Sequence, residues 1–323
     1  MKKKIKSNNI IRQSLVCPTL AVDNLALPDH ILTGIVGGSA SFAAIGSSLF
    51  APTILSGIIG RDFPKSFIKE LEKRKINSDH LQKSKKRSFH WDAKYSEDLH
   101  KVTTIKNEMN AFADYKTTGL KTLSKNCFAA FISNIDPKLQ IKILKSLPKK
   151  TIKILDSMDL WMIERLPELK KAMKLVDVFM VSETEANLLV EGNPPVPELI
   201  DKIMRMGPKV VIYKRGEYGL TMYGKMGTII VPSYPFTFAL DPTGAGDVLG
   251  GAIAGVLTSL GHFDRSSMTT AVLLGNIAAS FAVEDYGIEG ILNASYNGVI
   301  NRANIFLDQL PNKDNLQLEI KDR

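Results

Sequence analysis

The sequence predicts an α/β protein in which helices flank a mainly parallel central sheet, with a small β-sheet lid. Three observations indicate this class. From about residue 127 onward, short apolar runs alternate with helical patterns, which is typical of βαβ units and a covered parallel sheet. Residues 220–238 instead resemble antiparallel edge strands joined by a turn. Residues 87–107 alternate like a hairpin around Ser96 and Glu97, so we expect them to form a β-rich lid over a site.

The strands and helices can be assigned in chain order. In the N-terminal half, a first strand is followed by a Gly-rich stretch and a helix, and then by a strand, a turn and a second helix. In the C-terminal half, a helical face with Leu139, Ile143 and Leu147 predicts a helix, and Ser182 and Glu185 have the spacing of a capping box at the start of another. The buried strands of that half are "CFAAFIS", "TIKILD", "LVDVFMV" and "KVVIY".

The composition is that of an ordinary globular protein. The chain has 323 residues, of which 44% are hydrophobic and 23% charged, with a mean hydropathy of −0.01. No apolar run is long enough to span a bilayer, so we expect no membrane partner. Cys17 and Cys127 are the only cysteines, which argues against a disulfide framework and against a thiolate zinc site. Free thiols fit a cytoplasmic protein.

The formal charge of +9 does not by itself indicate nucleic-acid binding. The lysines are spread along the chain, and the densest internal run, residues 69–87, contains acids and lacks interleaved aromatics. We therefore expect a solvated helix and loop there, and no nucleic-acid partner. An attraction for an anionic substrate such as a nucleotide is compatible with the charge.

The segment "DPTGAGD", residues 241–247, carries the strongest chemical signal. Pro242 and two glycines forbid a regular helix through this turn, and an apolar helical pattern follows at once. The first amides of that helix have no intrahelical partner and lie at the positive end of its dipole. Because Gly244, Ala245 and Gly246 have almost no side chain, an anion can approach their N–H groups closely.

Three interpretations of this segment compete. A dinucleotide fingerprint is disfavoured, because Asp247 would repel the pyrophosphate and a second helix follows where a strand is needed. Asp247 can also be a simple helix N-terminal acid, although this does not explain the two glycines around Ala245. In the third interpretation, the carboxylate accepts a proton from a substrate hydroxyl, and the amides hold the phosphoryl group that this oxygen attacks.

The sequence resembles the ribokinase-like (PfkB) sugar and nucleoside kinases through "DPTGAGD" and the small, apolar helix after it. The resemblance covers about residues 13–300 and implies a Rossmann-like domain with a small β-sheet lid, often used for dimerisation. In this comparison Asp247 is the catalytic base, and Gly244, Ala245 and Gly246 form the anion hole. Asp241 and Thr243 match positions that bind a monovalent cation, often potassium.

The resemblance also implies ATP and Mg²⁺ as cofactors. The nucleotide contacts that it assigns are Ser182, Glu185, Lys214, Gly216, Gly219 and Asn276. Glu185 would hold Mg²⁺ through water as part of an N-x-x-E motif, in which Ser182 replaces the Asn. The alternative, that Glu185 only caps a helix, stays open.

The acceptor side resembles the family through Asp23 in "AVDNL" and the pair Gly37 and Gly38. An acid after the first strand can bond two sugar hydroxyls, and the glycines let backbone amides approach the same ring. Phe42 stands where many members have an Asn, and Asn134 where some have an acid. Phe42 either lies in the core or stacks on the acceptor, and Trp91 either packs within the lid or faces the substrate.

Together these observations predict an ATP-dependent kinase that phosphorylates a hydroxyl of a sugar or sugar-containing small molecule. A nucleoside kinase of the adenosine or inosine type is the first alternative, and a catalytically silent nucleotide-binding regulator is the second. We expect a basic tail over residues 1–12, a kinase domain over 13–310 with lid segments at roughly 22–36 and 87–107, and a polar tail over 311–323. A homodimer through the lid is implied by the resemblance alone.

Overall fold

The computed structural model describes residues 11–235, 238–310, 316 and 318–319. The predicted basic tail therefore lies outside the described residues except for Ile11 and Arg12. Most of the predicted polar tail at 311–323 lies outside them as well.

An eight-stranded sheet forms the centre of the molecule, as the alternation of strands and helices predicted. Its strands are β1 (Gln13–Cys17), β4 (Thr53–Leu55), β9 (Cys127–Ile132), β10 (Ile152–Leu155), β11 (Val178–Ser182), β12 (Val210–Lys214), β13 (Leu220–Gly224) and β14 (Ile229–Val231). The order across the sheet is β14-β13-β12-β11-β10-β9-β1-β4. In this sheet β4, β1, β9, β10, β11 and β12 run parallel to one another, whereas β13 and β14 are antiparallel at one edge.

Side chains along each central strand alternate between two apolar clusters, one on each face of this sheet. Phe131 and Met180 belong to one cluster, while Ile132 and Phe179, their neighbours in sequence, belong to the other. Because both faces are covered, the strands are almost continuously apolar. In the sequence they therefore appear as short apolar runs, without alternation of polar and apolar residues.

Twelve helices surround the sheet within the part of the chain that the structure describes. They are α1 (Ser39–Ser48), α2 (Lys65–Lys73), α3 (Leu120–Leu123), α4 (Pro137–Ser146), α5 (Asp159–Glu164), α6 (Leu166–Met173), α7 (Glu183–Leu189), α8 (Val196–Arg205), α9 (Ala245–Leu260), α10 (Arg265–Ala282), α11 (Glu289–Leu292) and α12 (Tyr296–Gln309). None of the described helices is both long and apolar enough to cross a bilayer.

Helices α1 and α9 pack unusually closely, and this brings two helix N-termini to one place. An added Cβ at Gly251 would overlap the carbonyl of Ala43, and one at Gly255 would overlap the carbonyl of Ser47. Only glycine permits backbones to approach this far. The small residues that sequence analysis noted after the Gly-rich turn therefore fix the position of α9 against α1.

A second, four-stranded sheet contains the segments predicted as the lid. It has the order β3-β2-β7-β8, and its strands are β2 (Ala21–Ala26), β3 (Ile31–Gly37), β7 (Phe89–Tyr95) and β8 (Val102–Glu108). Strands β7 and β8 form the antiparallel hairpin that alternation indicated. Strand β5 (Gly57–Ile59) is the strand predicted before the second helix, and it pairs with β6 (Leu81–Lys83) in a two-stranded sheet. Strand β6 lies where a loop was expected, because three residues are too few to show a period.

Candidate active site

The candidate residues meet where the parallel strands end. Strands β1, β9, β10, β11 and β12 all point their carboxyl ends at one edge of the central sheet, and the N-termini of α1 and α9 face the same region. Ligands of open α/β sheets bind at such an edge, because the loops there are free to carry functional groups. The described chain therefore brings together segments that are more than 200 residues apart in sequence.

The Gly-rich turn is built as the sequence predicted. Gly244 adopts a left-handed conformation with φ 79°, and α9 begins at the next residue. The buried carboxylate of Asp241 fixes the turn, since its two oxygens accept the N–H groups of Thr243 at 2.9 Å and Gly287 at 2.8 Å. The ring of Phe42 lies directly against Gly244, where an added Cβ would overlap it. The turn is therefore held from both sides before any ligand binds.

The amides at the start of α9 lie where the sequence predicts an anion site. Ala245, Gly246 and Asp247 are the first residues of the helix, and the N–H of Val248 is bonded to the carbonyl of Gly244 at 2.8 Å. The N–H of Ala245 contacts the carbonyl of Pro242 at 3.3 Å, so it is partly engaged. An added Cβ at Gly246 would meet only the Nζ of Lys214, at 3.4 Å, which leaves this face of the turn open.

The carboxyl of Asp247 belongs to the first turn of α9, beside these amides. Part of its surface still faces solvent, but protein atoms surround it on the other sides. Burial raises the pKa of Asp247 to about 7, and the nearby Asp156 carboxylate adds to this, while Lys214 and a hydrogen bond from Ser39 act in the opposite direction. A carboxyl with a pKa near neutrality suits a general base, because it is available as the anion yet retains a useful affinity for a proton.

An ion pair of Lys214 and Asp156 lies opposite Asp247. Lys214 ends β12 and Asp156 follows β10, and their side chains meet at 3.0 Å with only 18% and 8% of their surfaces exposed. Burial acts to lower the pKa of Lys214, but the carboxylates of Asp156 and Glu185 outweigh it and raise the pKa above the usual value. Lys214 therefore stays protonated.

Ser182 and Glu185 form a complete capping box at the start of α7. The Ser182 N–H donates to Oε2 of Glu185 at 2.7 Å, and the Glu185 N–H donates to Oγ of Ser182 at 3.3 Å. The capping role that sequence analysis left open is thus present. Burial raises the pKa of Glu185, against the effect of the Lys214 charge, so this carboxyl also belongs to the electrostatics of the site. Its magnesium role stays a prediction.

Two of the predicted nucleotide contacts, Gly216 and Gly219, lie in the loop after β12, and a third, Asn276, lies in α10. Gly216 and Gly219 have φ values of 52° and 82°, and the turn between them follows β12 directly. Gly219 packs against the backbone of Pro232, where an added Cβ would overlap it. The side-chain amide of Asn276 donates to the carbonyl of Pro232 at 2.9 Å. These contacts fix the loop after β12 against Pro232 and α10, and the nucleotide contacts of Gly216, Gly219 and Asn276 stay a prediction.

On the acceptor side, Asp23 is buried with one oxygen unpaired. It is 2% exposed, and Oδ1 has no hydrogen-bond partner among the described residues. Burial raises the pKa of Asp23 to about 8, although the Gly38 N–H donates to the carboxyl and acts in the opposite direction. The carboxyl lies against Gly37, where an added Cβ would overlap it. A buried oxygen without a partner is costly, and a bound ligand that donates a hydrogen bond would remove this cost. The substrate-binding role of Asp23 stays a prediction.

The two departures from the family pattern have different outcomes. Phe42 is 2% exposed and packs under Gly244, so of its two considered roles, packing in the core is the one that the structure shows. This corrects its assignment as a substrate-binding residue. The Asn134 amide is already engaged, because its oxygen accepts from Nε1 of Trp161 at 2.8 Å and its nitrogen lies 2.9 Å from Sδ of Met158. A contact of Asn134 with an acceptor stays a prediction.

The second sheet contacts the Gly-rich turn through Tyr95. The hydroxyl of Thr243 donates to the hydroxyl of Tyr95 at 2.9 Å. Side chains alternate along a strand, so Trp91, Ala93 and Tyr95 share the face that this contact directs towards the turn. Asp23 is the register partner of Trp91 in the neighbouring parallel strand, so it lies on the same face. The face of the second sheet that is directed towards the Gly-rich turn is therefore partly aromatic.

We expect the Tyr95→Phe substitution to weaken the docking of the lid on the turn. One hydrogen bond contributes about 0.5–1.5 kcal/mol, so kcat should fall by about 3- to 10-fold with little change in the melting temperature. Steady-state kinetics and thermal unfolding check this. Tyr223→Phe, on β13, is the control and should keep wild-type kinetics. An unchanged kcat in Tyr95→Phe would mean that the contact does not affect turnover.

Three polar residues near Asp247 and the Gly-rich turn were not predicted from the sequence: Ser39, Asp156 and Tyr95. Asp156 follows the buried strand "TIKILD", and the rule that ligands bind at carboxyl ends of strands was a signal for it. Ser39 follows the glycine pair and bonds Asp247 only because α1 and α9 pack closely. No local pattern indicated Tyr95, since its contact with Thr243 spans two sheets. In the described part of the chain, no group of three or more His, Cys, Asp or Glu residues is arranged to hold a metal ion.

Comparisons with known proteins agree on the fold. The model of the pfkB family carbohydrate kinases matches residues 15–293. No curated protein sequence shows significant similarity to the chain. Among solved structures, Arabidopsis thaliana ribokinase complexed with ribose and ATP is 20% identical, with a TM-score of 0.72, and the alignment covers 91% of this chain and 98% of that one.

Two further structures have similar scores. A Burkholderia thailandensis nucleoside kinase in complex with inosine is 17% identical, with a TM-score of 0.75 and coverage of 90% of this chain and 97% of that one. A ribokinase II protein of E. coli in complex with ATP and Mg²⁺ is 20% identical, with a TM-score of 0.73 and coverage of 91% and 99%. At these identities the likeness shows the fold.

Proposed function

This chain belongs to the pfkB family of carbohydrate kinases, and we propose that it transfers the γ-phosphoryl group of ATP to a hydroxyl of a sugar or sugar-containing small molecule. The observation that carries this proposal is the position of the Asp247 carboxyl beside the amides at the start of α9. A base and an anion site side by side are what an alcohol and a phosphoryl group need when they react.

Each group in the site has one task in this reaction. Asp247 accepts the proton of the acceptor hydroxyl, whose oxygen forms a bond to the γ-phosphorus as the bond to the bridging oxygen of ADP breaks. The amides of residues 244–247 hold the transferring oxygens. Asp23, through its unpaired Oδ1, and the Gly37–Gly38 backbone orient the acceptor. The lid sheet excludes water from the phosphoryl group.

The donor groups fit ATP with Mg²⁺. The carboxylate of Glu185 is a hard oxygen ligand, which Mg²⁺ prefers, and among the described residues too few carboxylates converge for an all-protein metal cage. Glu185 would therefore hold the ion through water, while the phosphates supply the remaining ligands. When bound, Mg²⁺ neutralises part of the phosphate charge. Gly216, Gly219 and Asn276 would contact the nucleoside end of ATP, and Ser182 its phosphates.

A monovalent cation such as potassium is proposed beside the Gly-rich turn. Asp241 is fully buried and forms no ion pair with any described residue, although two backbone N–H groups bond its carboxylate. A buried carboxylate without a cation is expensive, so a potassium ion at Asp241 and Thr243 would stabilise the turn. Association through the lid and a cytoplasmic location stay predictions.

The pH dependence of kcat/KM follows from the base. Asp247 must be ionised to accept a proton, and its pKa of about 7 lies above the usual value for an Asp. We therefore expect kcat/KM to be low at pH 5, to rise about tenfold per pH unit below pH 7, and to level off above it. Rates measured from pH 5 to 9 at several acceptor concentrations check this. A profile that is flat from pH 5 to 9 would contradict the role of Asp247.

A nucleoside acceptor is the second candidate, and Trp91 favours it. Its side chain shares a face of the lid with Asp23, its register partner, so an aromatic ring lies beside the group proposed to bond the sugar hydroxyls. An indole can stack on a base, and it can also cover the apolar face of a sugar ring. Tightly bound nucleosides with weak binding of free pentoses would favour this candidate.

A phosphoryl-transfer screen tests the proposed function. The chain is incubated with ATP, Mg²⁺ and K⁺ and with pools of pentoses, hexoses, hexose phosphates and nucleosides, and phosphorylated products are identified by mass spectrometry. We expect one pool to yield a phosphate monoester. ATP binding without any product in any pool would instead favour the catalytically silent regulator.

A further inference from the structure

The side chain of Lys214 lies across the open face of the Gly-rich turn. Among the described residues outside the start of α9 itself, its Nζ is the only atom within 4 Å of a Cβ added at Gly246, at 3.4 Å. The same nitrogen is 3.0 Å from Oδ1 of Asp156 and acts electrostatically on Asp247 and Glu185. The ammonium of Lys214 therefore lies beside the central residue of the proposed anion site.

The side chain is held in this position. Lys214 ends β12, and its register partner across the parallel pair is Ser182 at the end of β11, so its stem starts at the carboxyl edge of the sheet. Asp156 ends the adjacent segment after β10, and its backbone carbonyl accepts from Nε2 of Gln140 at 2.9 Å. Both members of the ion pair are mostly buried. Lysine side chains have several rotatable bonds, so a fixed partner is what keeps the Nζ at the turn.

We propose that Lys214 contacts the transferring phosphoryl group itself and is a catalytic residue, with Asp156 as the residue that positions it. This rests on the proposed kinase function. A residue that only bound the nucleotide could place its cation at any of the three phosphates. The location beside Gly246, in the middle of the proposed anion site, is specific to the group that moves. A phosphoryl group there would accept hydrogen bonds from backbone N–H groups and from an ammonium.

The bonds, protons and electron pairs of the transfer balance without any change in the protonation of Lys214. The acceptor oxygen loses its proton to Asp247 and forms a bond to the γ-phosphorus, the bond from that phosphorus to the bridging oxygen breaks, and ADP takes the electron pair. Lys214 keeps its proton throughout and neutralises charge on the equatorial oxygens, where charge is spread in the transition state. Asp156 keeps the ammonium in place through their ion pair.

Lys214→Met is the first test, because it retains the length of the side chain and removes the charge. We expect kcat to fall by about 10²- to 10³-fold, as for the loss of one transition-state donor. Affinity for a β,γ-imido ATP analogue should fall severalfold more than affinity for ADP, as measured by calorimetry. Lys209→Met is the matched control, since Lys209 forms a Lys–Asp pair with Asp177 at 2.7 Å just before the same strand, far from the turn. It should keep wild-type kinetics.

A second variant separates a catalytic role from a structural one. Lys214→Met leaves Asp156 buried without its cation, and this alone can destabilise the fold. Lys214→Met combined with Asp156→Asn removes both charges and should restore the melting temperature while kcat stays low. In the single variant, the rise of kcat/KM with pH should also move to higher pH, because Lys214 lowers the pKa of Asp247.

Three results would overturn the proposal: recovery of wild-type kcat in the double variant, a kcat within threefold of wild type in Lys214→Met, or an equal loss of affinity for ADP and the ATP analogue. These results leave the kinase function intact, provided that the wild-type chain phosphorylates an acceptor. A wild-type chain that phosphorylates no acceptor would contradict the proposed function instead.

Discussion

Replacing Asp247 with Asn is expected to reduce kcat by about 10³-fold or more while nucleotide affinity stays within a few-fold of wild type. The amide has nearly the same shape as the carboxyl, so the start of α9 and its N–H groups stay in place. It cannot accept the acceptor's proton, and general bases contribute about 10²- to 10⁴-fold to rates. Steady-state kinetics and calorimetric titration with the β,γ-imido ATP analogue measure the two effects separately.

Loss of folding does not explain this expected result. Burial raises the pKa of Asp247 in the folded protein to about 7, above the value of 3.8 for an unperturbed carboxyl. The folded chain therefore holds this proton more tightly than the unfolded chain, and the stability contribution is lost as pH rises through about 7. An Asn has no such loss, so the variant should be at least as stable as wild type at pH 8.

Glu198→Gln is the control for a first-turn helix acid. Glu198 lies in the first turn of α8 and pairs with Lys202 on the surface at 2.7 Å, so its loss should leave kcat unchanged. If Asp247→Asn turned over like wild type, Asp247 would be no more than a helix N-terminal acid, which is the plain alternative for this position.

Replacing Gly246 with Ala is expected to reduce kcat/KM by about 10²-fold or more without destabilising the fold. The new methyl group would meet only the flexible end of Lys214, at 3.4 Å, so the empty site accepts it. Alanine also favours a helix over glycine by about 0.5–1 kcal/mol. The same methyl group would stand where the phosphoryl oxygens approach the amides. Thermal unfolding and kinetics together test this combination of equal stability and lost activity.

Gly244→Ala provides the contrast at the neighbouring glycine. Gly244 has φ 79°, and an added Cβ would overlap the ring of Phe42, so here we expect a loss of stability as well as of activity. If Gly246→Ala retained wild-type kcat/KM, the phosphoryl group would not bind at this turn.

Much of the fold could be predicted because local signals were strong. The buried strands between residues 127 and 214 are short apolar runs separated by helical patterns, and this arrangement allows little besides a parallel sheet. The hairpin of β7 and β8 was visible as alternation. The pairing of β2 with β7 was not, because the two parallel strands are more than 60 residues apart and nothing local specifies such a partner.

The residues of the site could likewise be predicted only where the signal was local in sequence. The Gly-rich turn could be predicted because all of its signals lie in consecutive residues: glycines for the anion, an acid for the proton and an apolar pattern for the helix. Phe42 was ambiguous, since a helical aromatic residue can face either the core or a ligand, and only its packing under Gly244 decides between them. The ion pair of Lys214 with Asp156 joins the ends of two strands with another between them, so the sequence alone does not pair them.

A crystal structure with ADP, Mg²⁺ and aluminium fluoride tests the central claim most directly, because the metal fluoride imitates the phosphoryl group in transfer. We expect the fluoride atoms within hydrogen-bond distance of the amides at the start of α9, with the carboxyl of Asp247 facing the open side of the aluminium. Metal fluoride bound away from this turn, or an Asp247 carboxyl directed away from it, would contradict the account.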